Sequence, residues 1–331
     1  MKHHLDFEKP ILELQNKLDA LKNHPESQAM NISLDAEIQQ IEKKIEVERK
    51  RIFSDLTAWQ RVQLARHPKR PLTLDYIRMA FTDYAELSGD RLHANDLAMI
   101  GGFARIEGRK VMVIGTQKGR DTKENIRRNF GSAHPEGYRK ALRLMKLAHK
   151  FGLPIITLID TAGAYPGVGA EERHIAEAIA VNLREMTLLE VPIIAVVIGE
   201  GGSGGALGIG VADRVLIFEN AYYSVISPEG CAAILWKDRS AAAKAAESLR
   251  ITAKHLLELG LVDEIIPEPI GGAHNDAVAA AASFKAHVLH HLDELQGMPS
   301  AGLLRSRYAK FRAMGRFIEK KPEQSEVANV A

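Results

Sequence analysis

The sequence lacks the features that mark secreted and membrane proteins. It has one cysteine, Cys231, so an intrachain disulfide and a cysteine-rich zinc site made by this chain alone are both excluded. No run of about eighteen apolar residues is long enough to cross a bilayer. Lys2, His3 and His4 are followed by mixed polar sequence instead of the apolar stretch of a signal peptide. We therefore expect a cytoplasmic protein with no membrane association.

A strong excess of charge of one sign is also missing. Lysine and arginine number 44 against 42 aspartates and glutamates. A chain with so little net charge has no dominant electrostatic attraction to nucleic acid, although local basic patches remain possible. The hydrophobic fraction of 46% and the charged fraction of 26% are those of an ordinary globular protein.

Two amphipathic stretches open the chain. Apolar residues recur at helical spacing over 7–22 and again over 34–52, with a polar break between them. This pattern predicts a helical hairpin, whose apolar stripe must be buried against the main domain or another chain. A coiled-coil dimer is the alternative, although two or three heptads are short for one.

After an irregular connector at 54–74, the sequence predicts alternating helices and strands. We expect helices near 74–87, 135–152, 170–189 and 275–295, and strands near 98–106, 110–115, 154–159, 192–198 and 214–218. Such alternation indicates an α/β domain with covered sheets. The predicted division is an N-terminal hairpin and connector at 1–75, a main domain at 76–296, and a basic then polar tail at 297–331 whose end we expect to be mobile.

A glycine-rich segment follows the strand at 192–198. Seven of the twelve residues in Gly199-Glu-Gly-Gly-Ser-Gly-Gly-Ala-Leu-Gly-Ile-Gly210 are glycines. Glycine lets a backbone approach a ligand closely, and a helix that begins there directs unpaired N–H groups at the same point. The segment can therefore hold an oxyanion or a phosphate, or it can be only a tight turn that packs a helix closely.

Two other chemistries fit the same residues less well. Gly199, Gly201 and Gly204 match a dinucleotide fingerprint, but about ten residues are a cramped crossover for that unit. A phosphate-binding P-loop is excluded, because no Gly-Lys-Ser/Thr ends the segment.

Ser203 also fits the nucleophile elbow of a serine hydrolase. That chemistry needs a carboxylate and a histidine later in the chain. The nominal partners, none with a local signature, are Asp213, Asp238, Asp263, His255, His274 and His287.

The chain resembles the alpha subunit of bacterial acetyl-coenzyme A carboxylase carboxyltransferase. The segment 199–207 is similar to the family's signature loop, and so are Asp160-Thr-Ala-Gly-Ala-Tyr-Pro-Gly-Val-Gly-Ala-Glu-Glu-Arg173 and Gln117-Lys-Gly-Arg-Asp-Thr-Lys-Glu-Asn-Ile-Arg-Arg-Asn-Phe-Gly131. Further similar blocks are 66–71, 135–140, 224–238 and 264–269. The resemblance thus spans roughly residues 5–300.

This resemblance implies a crotonase-like superhelix of repeated strand–strand–helix units. The family reaction moves a carboxyl group from carboxybiotin on the biotin carboxyl carrier protein to acetyl-coenzyme A, giving malonyl-coenzyme A for fatty-acid synthesis. The resemblance implies an α2β2 assembly with the beta subunit, with biotin carboxylase in the full complex. It assigns a second oxyanion hole and the zinc to the beta subunit, so this chain is expected to hold no cofactor covalently and no metal at its site.

By the same resemblance, Gly204 and Gly205 donate backbone amides to the biotin carbonyl. Gly202 and Ser203 are expected to contact substrate, and Gly163, Ala164 and Tyr165 to form walls of the biotin pocket. The biotin anion is expected to take the methyl proton, so no general base is required here. The main competing interpretations are a serine hydrolase that uses Ser203 and a non-catalytic scaffold that only docks a partner.

The family-like block 117–131 contains a basic cluster. This cluster is a candidate contact for coenzyme A phosphates or for an acidic partner, or else it is a solvated face. It consists of Lys118, Arg120, Lys123, Arg127 and Arg128, and its positive charge is partly neutralised by Asp121 and Glu124. Glu171 and Glu172 are interpreted as first-turn carboxylates that complement a helix dipole.

The chain departs from the family pattern at a few positions. Ala162 stands where the family usually has proline, and His174-Ile175 and Ser132-Ala-His134 also differ. None of these changes removes a donor, so they concern the rigidity of the loops.

Overall fold

The computed structural model describes residues 5–23 and 35–315. Its helices are α1 Lys9–Lys22, α2 Asp35–Ser54, α3 Ala58–Ala65, α4 Thr73–Ala80, α5 Thr122–Arg127, α6 Pro135–Lys150, α7 Val168–Glu172, α8 Ile175–Leu188, α9 Ser203–Leu207, α10 Pro228–Trp236, α11 Ala242–Leu249, α12 Ala253–Glu258, α13 Ala277–Gln296 and α14 Ser300–Ala313. Short 3-10 turns lie at Asp6–Glu8, Asn129–Gly131 and Arg239–Ala241.

The described strands form one mixed sheet. They are β1 Thr82–Glu86, β2 Met99–Ile106, β3 Arg109–Thr116, β4 Ile155–Thr161, β5 Ile193–Gly202, β6 Arg214–Phe218, β7 Tyr222–Ser224 and β8 Glu264–Ile266. The order is β1-β2-β3-β4-β5-β6-β8, and β7 pairs with the end of β5. The first three strands are antiparallel, whereas the strands from β3 to β8 are parallel.

The central strands read as continuous apolar runs because both faces of the sheet are covered. Every residue of β4 and of β5 is buried. Helix α6 packs on β2 and β3, and α13 packs on α4. This core fixes the carboxyl ends of β3, β4 and β5, from which the site is built.

The N-terminal hairpin is present as predicted. Helices α1 and α2 contact each other, and Ile11 and Ile45 are buried. Glu8, just before α1, lies 3.7 Å from the His274 ring of the main domain, so the hairpin contacts that domain. The break between the two helices and residue Leu34 fall outside the described residues.

Several predicted elements need correction. The connector at 54–74 contains α3, which begins with a capping box in which Thr57 and Gln60 bond each other's backbone N–H groups. The helix predicted at 74–87 ends at Ala80, because Phe81 turns extended and β1 follows.

The helix predicted at 170–189 is interrupted. His174 has a left-handed backbone (φ 64°), which separates α7 from α8. The glycine-rich segment is also not wholly a loop, since β5 continues through Gly199 to Gly202 before α9 begins.

The beginning of the tail at 297–331 is ordered as α14, a helix that the sequence did not predict. Residues 316–331, on which the expectation of mobility falls, lie outside the described residues. Among the residues described, no helix combines the length and apolar composition that crossing a bilayer requires.

Candidate functional site

The glycine turn, residues 199–205, lies where two neighbouring parallel strands end. Strands β4 and β5 pair in parallel up to Thr161 opposite Gly201, so their carboxyl ends share one edge of the sheet. Crevices at this edge are the usual ligand sites of open parallel sheets. Helix α9 begins directly after β5, with Gly202 as its N-cap. The loop after β4 and the first turn of α9 are thereby placed side by side.

Two glycines in this turn are required by close packing. A Cβ atom on Gly202 would lie 2.1 Å from the Ala162 carbonyl oxygen. A Cβ atom on Gly205 would lie 2.4 Å from the backbone nitrogen of Ala164 and the carbonyl carbon of Gly163. Only glycine allows these backbones to touch. The loop after β4 and helix α9 therefore hold each other in one position.

Gly204 differs from its neighbours, because the chain has room for a side chain there. The nearest atom to an added Cβ would be Ile179 Cδ1, at 3.6 Å, which is ordinary contact. Gly204 is partly exposed, while Gly205 is buried. Internal packing thus does not explain why residue 204 is glycine, whereas close approach of a ligand does.

The amide groups of Gly204 and Gly205 are free to donate. Within the described residues, neither N–H has a hydrogen-bond acceptor. They belong to the first turn of α9, where N–H groups point toward the helix start and carry the positive end of its dipole. The glycine turn can therefore stabilise an anionic oxygen.

Ser203 and Gly204 line a cleft of about 400 Å³. Most of the other lining side chains are apolar, and they come from several elements: Leu207, Val215, Tyr223, Val225, Leu256, Leu261, Phe311 and Met314. Such a cleft suits a flat, largely apolar group with a polar edge. Gly163, Ala164 and Tyr165 are not among the lining residues.

Residues near the carboxyl ends of the central strands form a buried charge network beside the turn. The Lys118 ammonium lies 2.7 Å from Asp160 Oδ1 and 2.5 Å from Glu200 Oε2. Asp160 Oδ1 also accepts a hydrogen bond from the Glu200 amide at 3.0 Å. Burial alone would lower the pKa of Lys118, but the two carboxylates raise it above its usual value. The network ties the ends of β3, β4 and β5 together.

Arg66, after α3, completes the network from the other side. Its Nε lies 2.6 Å from Glu200 Oε1, and its Nη1 contacts Glu229 at the start of α10. The Tyr222 hydroxyl donates to Glu200 Oε1 at 2.7 Å. Burial would raise the pKa of Glu200, but Lys118 and Arg66 lower it to about 2. Glu200 is thus a buried anion that fixes the strand before the glycine turn.

The predicted pocket walls lie on the β4 side of the turn. Gly163 has φ +153°, and its carbonyl oxygen accepts from the Thr161 hydroxyl at 2.8 Å. Gly163 and Ala164 pack on Gly205, and the Tyr165 ring stacks on His134 with 4.0 Å between centroids. Gly163 and Ala164 thus contact the turn directly, whereas Tyr165 contacts His134 beside it.

Most of the basic cluster is engaged within the chain. Arg120 donates to the carbonyls of Pro68 and Arg70 and contacts Asp75, and Arg128 pairs with Glu124 at 2.9 Å. With Lys118 bound between two carboxylates, three of the five cations already have partners. Lys123 and Arg127 are exposed.

Glu171 and Glu172 do not lie at the start of α8. They are the last two residues of the five-residue helix α7 and are exposed. The neighbouring Arg173 instead pairs with Glu136 at 3.1 Å. Glu171 lies in the first turn of α7, as predicted, whereas Glu172 is the last residue of that short helix, so the first-turn assignment is confirmed for Glu171 and wrong for Glu172.

The serine hydrolase hypothesis is not supported. Ser203 does lie in a strained left-handed conformation (φ 51°) at a strand-to-helix turn, but within the described residues its hydroxyl makes no hydrogen bond. The nominal triad members have other partners: Asp213 with Arg307, Asp238 with Ser240, Asp263 with Lys310, His255 with Thr252, His274 with Glu8, and His287 with Glu264.

Sequence reasoning missed the cleft residues of α14 and the partners of Lys118. Phe311 and Met314 come from a polar segment with no apolar periodicity to mark it as part of a site. Arg66, Asp160 and Glu200 lie within the family-like blocks, but nothing in their spacing predicts that they meet. Their pairing depends on strands far apart in sequence.

Comparison with solved structures identifies the fold. The fold matches the Pseudomonas malonate decarboxylase heterodimer (TM-score 0.53, 17% identity, 65% of this chain and 88% of that one). It also matches the beta subunit of P. aeruginosa geranyl-CoA carboxylase (TM-score 0.52, 15% identity, 77% of this chain and 46% of that one) and transcarboxylase 12S (TM-score 0.51, 19% identity, 75% and 43%). The fold is the crotonase-like fold of carboxyltransferases, which confirms the predicted fold class.

Sequence comparison then gives the family. Residues 4–315 match the model of the acetyl co-enzyme A carboxylase carboxyltransferase-like family. The chain is 58% identical over 315 residues to the acetyl-coenzyme A carboxylase carboxyl transferase subunit alpha of Erwinia tasmaniensis, covering 95% of this chain and 98% of that protein. It is 59% identical over 313 residues to the protein of the same name from Yersinia enterocolitica, covering 94% and 98%. The chain belongs to this carboxyltransferase family, and the family and class of enzyme predicted from the sequence are confirmed.

Proposed function

We propose that this chain is the alpha subunit of an acetyl-coenzyme A carboxylase carboxyltransferase. In this proposal it transfers the carboxyl group of carboxybiotin, delivered on the biotin carboxyl carrier protein, to acetyl-coenzyme A. The product is malonyl-coenzyme A, and biotin carboxylase recharges the carrier. High identity over nearly the full length to alpha subunits supports the reaction, and the free amides of the glycine turn support the role of this chain in it.

The observation that carries the proposal is the pair of unbonded N–H groups at Gly204 and Gly205. As the carboxyl group leaves, the ureido oxygen of biotin gains negative charge. Fixed amide donors directed at that oxygen lower the barrier, and removal of one such donor from a comparable site costs about 3–4 kcal/mol. The buried network around Glu200 would hold the donors in place, so little reorganisation is needed during the reaction.

The cleft beside the turn fits the group that must bind. A bicyclic ureido ring is flat and mostly apolar with one polar edge. The apolar side chains of the 400 Å³ cleft would cover its faces while the backbone of Ser203 and Gly204 meets the polar edge. Gly163, Ala164, Tyr165 and Gly202 are assigned to the support of this wall.

Of the basic residues, Arg120 is kept as a candidate contact for coenzyme A. Its side chain is 40% exposed although it is partly engaged within the chain. Lys118, bound between Asp160 and Glu200, is assigned to the positioning of the turn.

The reaction also requires an enolate of the acetyl thioester, which needs a second set of donors. The glycine turn offers only one such set, so we assign the second to a beta subunit, along with the zinc. The proposed assembly is α2β2, with the active site between the two kinds of chain. No general base is assigned to this chain.

The test is a reconstitution. The purified chain is mixed with carboxybiotinylated carrier protein and acetyl-coenzyme A, with and without the beta subunit, and malonyl-coenzyme A is measured. We expect product only when both chains are present. Full activity of the lone chain, or no activity of a correctly assembled pair, would contradict the proposal.

A further inference from the structure

Near its end, helix α13 carries a group of metal-ligating side chains on one face. His287, His290, His291 and Glu294 follow the spacing i, i+3, i+4 and i+7, which places them side by side on a helix. Glu264 of the neighbouring strand β8 contacts the same face. Within residues 5–23 and 35–315, ligand atoms of His290, His291 and Glu294 lie within 4.8 Å of one another.

His291 is held in an orientation suited to a metal ligand. Its Nε2 lies 2.6 Å from Glu264 Oε2, while its Nδ1 faces Glu294 Oε2 at 3.3 Å. The residue is only 7% exposed. When Nε2 donates its proton to Glu264, the Nδ1 lone pair is available to a metal ion on the side of the Glu294 carboxylate. A carboxylate that orients a histidine in this way is the usual outer partner of a metal-bound imidazole.

His290 approaches the same carboxylate from the solvent side. Its Nε2 lies 3.4 Å from Glu294 Oε1, and its side chain is 63% exposed. Two imidazole nitrogens and one carboxylate oxygen suit Zn²⁺, Co²⁺, Ni²⁺ or Cu²⁺, whereas Mg²⁺ and Ca²⁺ prefer oxygen ligands alone. The open side leaves room for water as a further ligand.

We infer that this face of α13 binds a divalent transition-metal ion through His290, His291 and Glu294, with Glu264 orienting His291. The ion would link the end of α13 to β8 through this hydrogen bond. Arg214 competes with a metal ion for the Glu294 carboxylate, because its Nη2 lies 3.4 Å from Glu294 Oε2. The competing explanation is that the histidines and glutamates form hydrogen bonds and ion pairs only.

The test is calorimetric titration of ZnCl₂ into the full-length chain. His3 and His4 lie outside the described residues and can bind metal themselves, so both are replaced by alanine in every protein compared. We expect one saturable site per chain, reversed by a chelator. Bound Co²⁺ should show visible absorption, which reports coordination by protein nitrogen.

Four variants distinguish the two explanations. His290→Ala and Glu294→Ala each remove a ligand and should abolish or strongly weaken binding. Glu264→Gln removes the orienting carboxylate and should lower affinity by about 10- to 100-fold. Arg214→Ala removes the competitor and should raise affinity, a gain that a metal-free network does not predict.

His93→Ala is the control, because His93 is an exposed histidine in the loop after β1, where its backbone N–H donates to Asp90. The affinity of the His93→Ala protein for Zn²⁺ should equal that of the parent protein. Absence of saturable binding, or binding unchanged by both His290→Ala and Glu294→Ala, would overturn the inference in favour of hydrogen bonds and ion pairs only.

Discussion

Gly204 and Gly205 are adjacent in sequence, yet the structure accounts for them differently. An added Cβ on Gly205 would collide with the Gly163–Ala164 backbone at 2.4 Å, so that glycine is explained by packing. An added Cβ on Gly204 would meet nothing closer than 3.6 Å. Replacement of Gly205 by a larger residue therefore confuses misfolding with loss of function. Gly204 is the residue at which the proposed ligand contact can be tested alone.

Ser203 tests whether the turn acts through a side chain or through the backbone. Its hydroxyl makes no hydrogen bond within the described residues, so Ser203→Ala should leave kcat/KM of the assembled enzyme within about threefold, an effect below 1 kcal/mol. The measurement is malonyl-coenzyme A formation by the reconstituted variant. A loss approaching the roughly 10⁶-fold that follows removal of a serine nucleophile would support a hydrolase-like mechanism instead.

A substitution at Glu200 tests how much the buried charge network contributes to stability. Glu200→Gln removes the charge that Lys118 and Arg66 share, and we expect the free energy of unfolding to fall by about 3 kcal/mol at neutral pH. Urea denaturation measures the loss. Glu258→Gln, in an exposed pair with Arg250, is the control and should change stability by about 0.5 kcal/mol or less.

The difference in stability between the parent protein and Glu200→Gln should also depend on pH. The pKa of Glu200 is lowered from 4.5 to about 2, so its stabilising effect is fully present above about pH 4.5 and is lost as the pH falls toward 2. The difference in stability between parent and Glu200→Gln should therefore shrink across this window. A difference that stays constant between pH 7 and pH 3 would show that the charge of Glu200 does not matter.

At the scale of helices and strands, the sequence predicted best where local signals and burial agree. The apolar runs of β2, β4 and β5 were located to within a few residues, and Pro135 and Gly152 marked the limits of α6. The segment 81–87 was predicted as helix because its local pattern continues that of α4. Pairing of β1 with β2, a contact between distant segments, decides its conformation.

Helix α14 could not be predicted, because its buried residues are Leu303 and an arginine whose contacts depend on the fold. Arg307 has a side chain with no exposure, and it pairs with Asp213 at 2.7 Å. It also donates to the carbonyls of Met186, Leu189 and Val191. In the sequence it is one of several basic residues in a polar tail. Only the fold identifies it as a core residue.

The buried pair of Arg307 and Asp213 predicts how stability depends on helix α14. Arg307→Ala leaves Asp213 buried without its partner, and we expect the free energy of unfolding to fall by about 3–5 kcal/mol. The midpoint of denaturant unfolding measures this. Arg305→Ala, an exposed arginine on the same helix, should change stability by about 0.5 kcal/mol or less. Equal effects of the two changes would mean that α14 is held by nonspecific attraction.

At the scale of the whole molecule, the sheet brings together groups from distant parts of the chain. Lys118, Asp160 and Glu200 lie near the carboxyl ends of β3, β4 and β5, and the parallel arrangement places them at one edge. Phe311 and Met314 reach the same region from α14. A family-like motif predicts where the glycine turn lies. It does not predict which charges support it or which helix closes the cleft.

The proposed mechanism requires two oxyanion sites, which would account for an enzyme divided between two kinds of chain. Among the described residues, Gly204 and Gly205 provide a set of free amides beside the cleft, at the start of α9. The partner chain would provide the other set, so the lone chain can be stable and still inactive. In this proposal activity belongs to the assembly, so variants of the glycine turn are to be assayed there.

The most direct measurement compares Gly204→Ala with Gly302→Ala in the reconstituted enzyme. Both glycines lie in the first turn of a helix, are partly exposed, and leave ordinary space for a methyl group. Each variant should be as stable as the parent or more stable by about 0.4–1 kcal/mol, and both should assemble with the beta subunit. We predict that kcat falls about 100-fold for Gly204→Ala, because the methyl group displaces the substrate from the amides, and that Gly302→Ala retains the parental rate. A Gly204→Ala enzyme that assembles and works at the parental rate would contradict a catalytic role for the backbone amides of this turn.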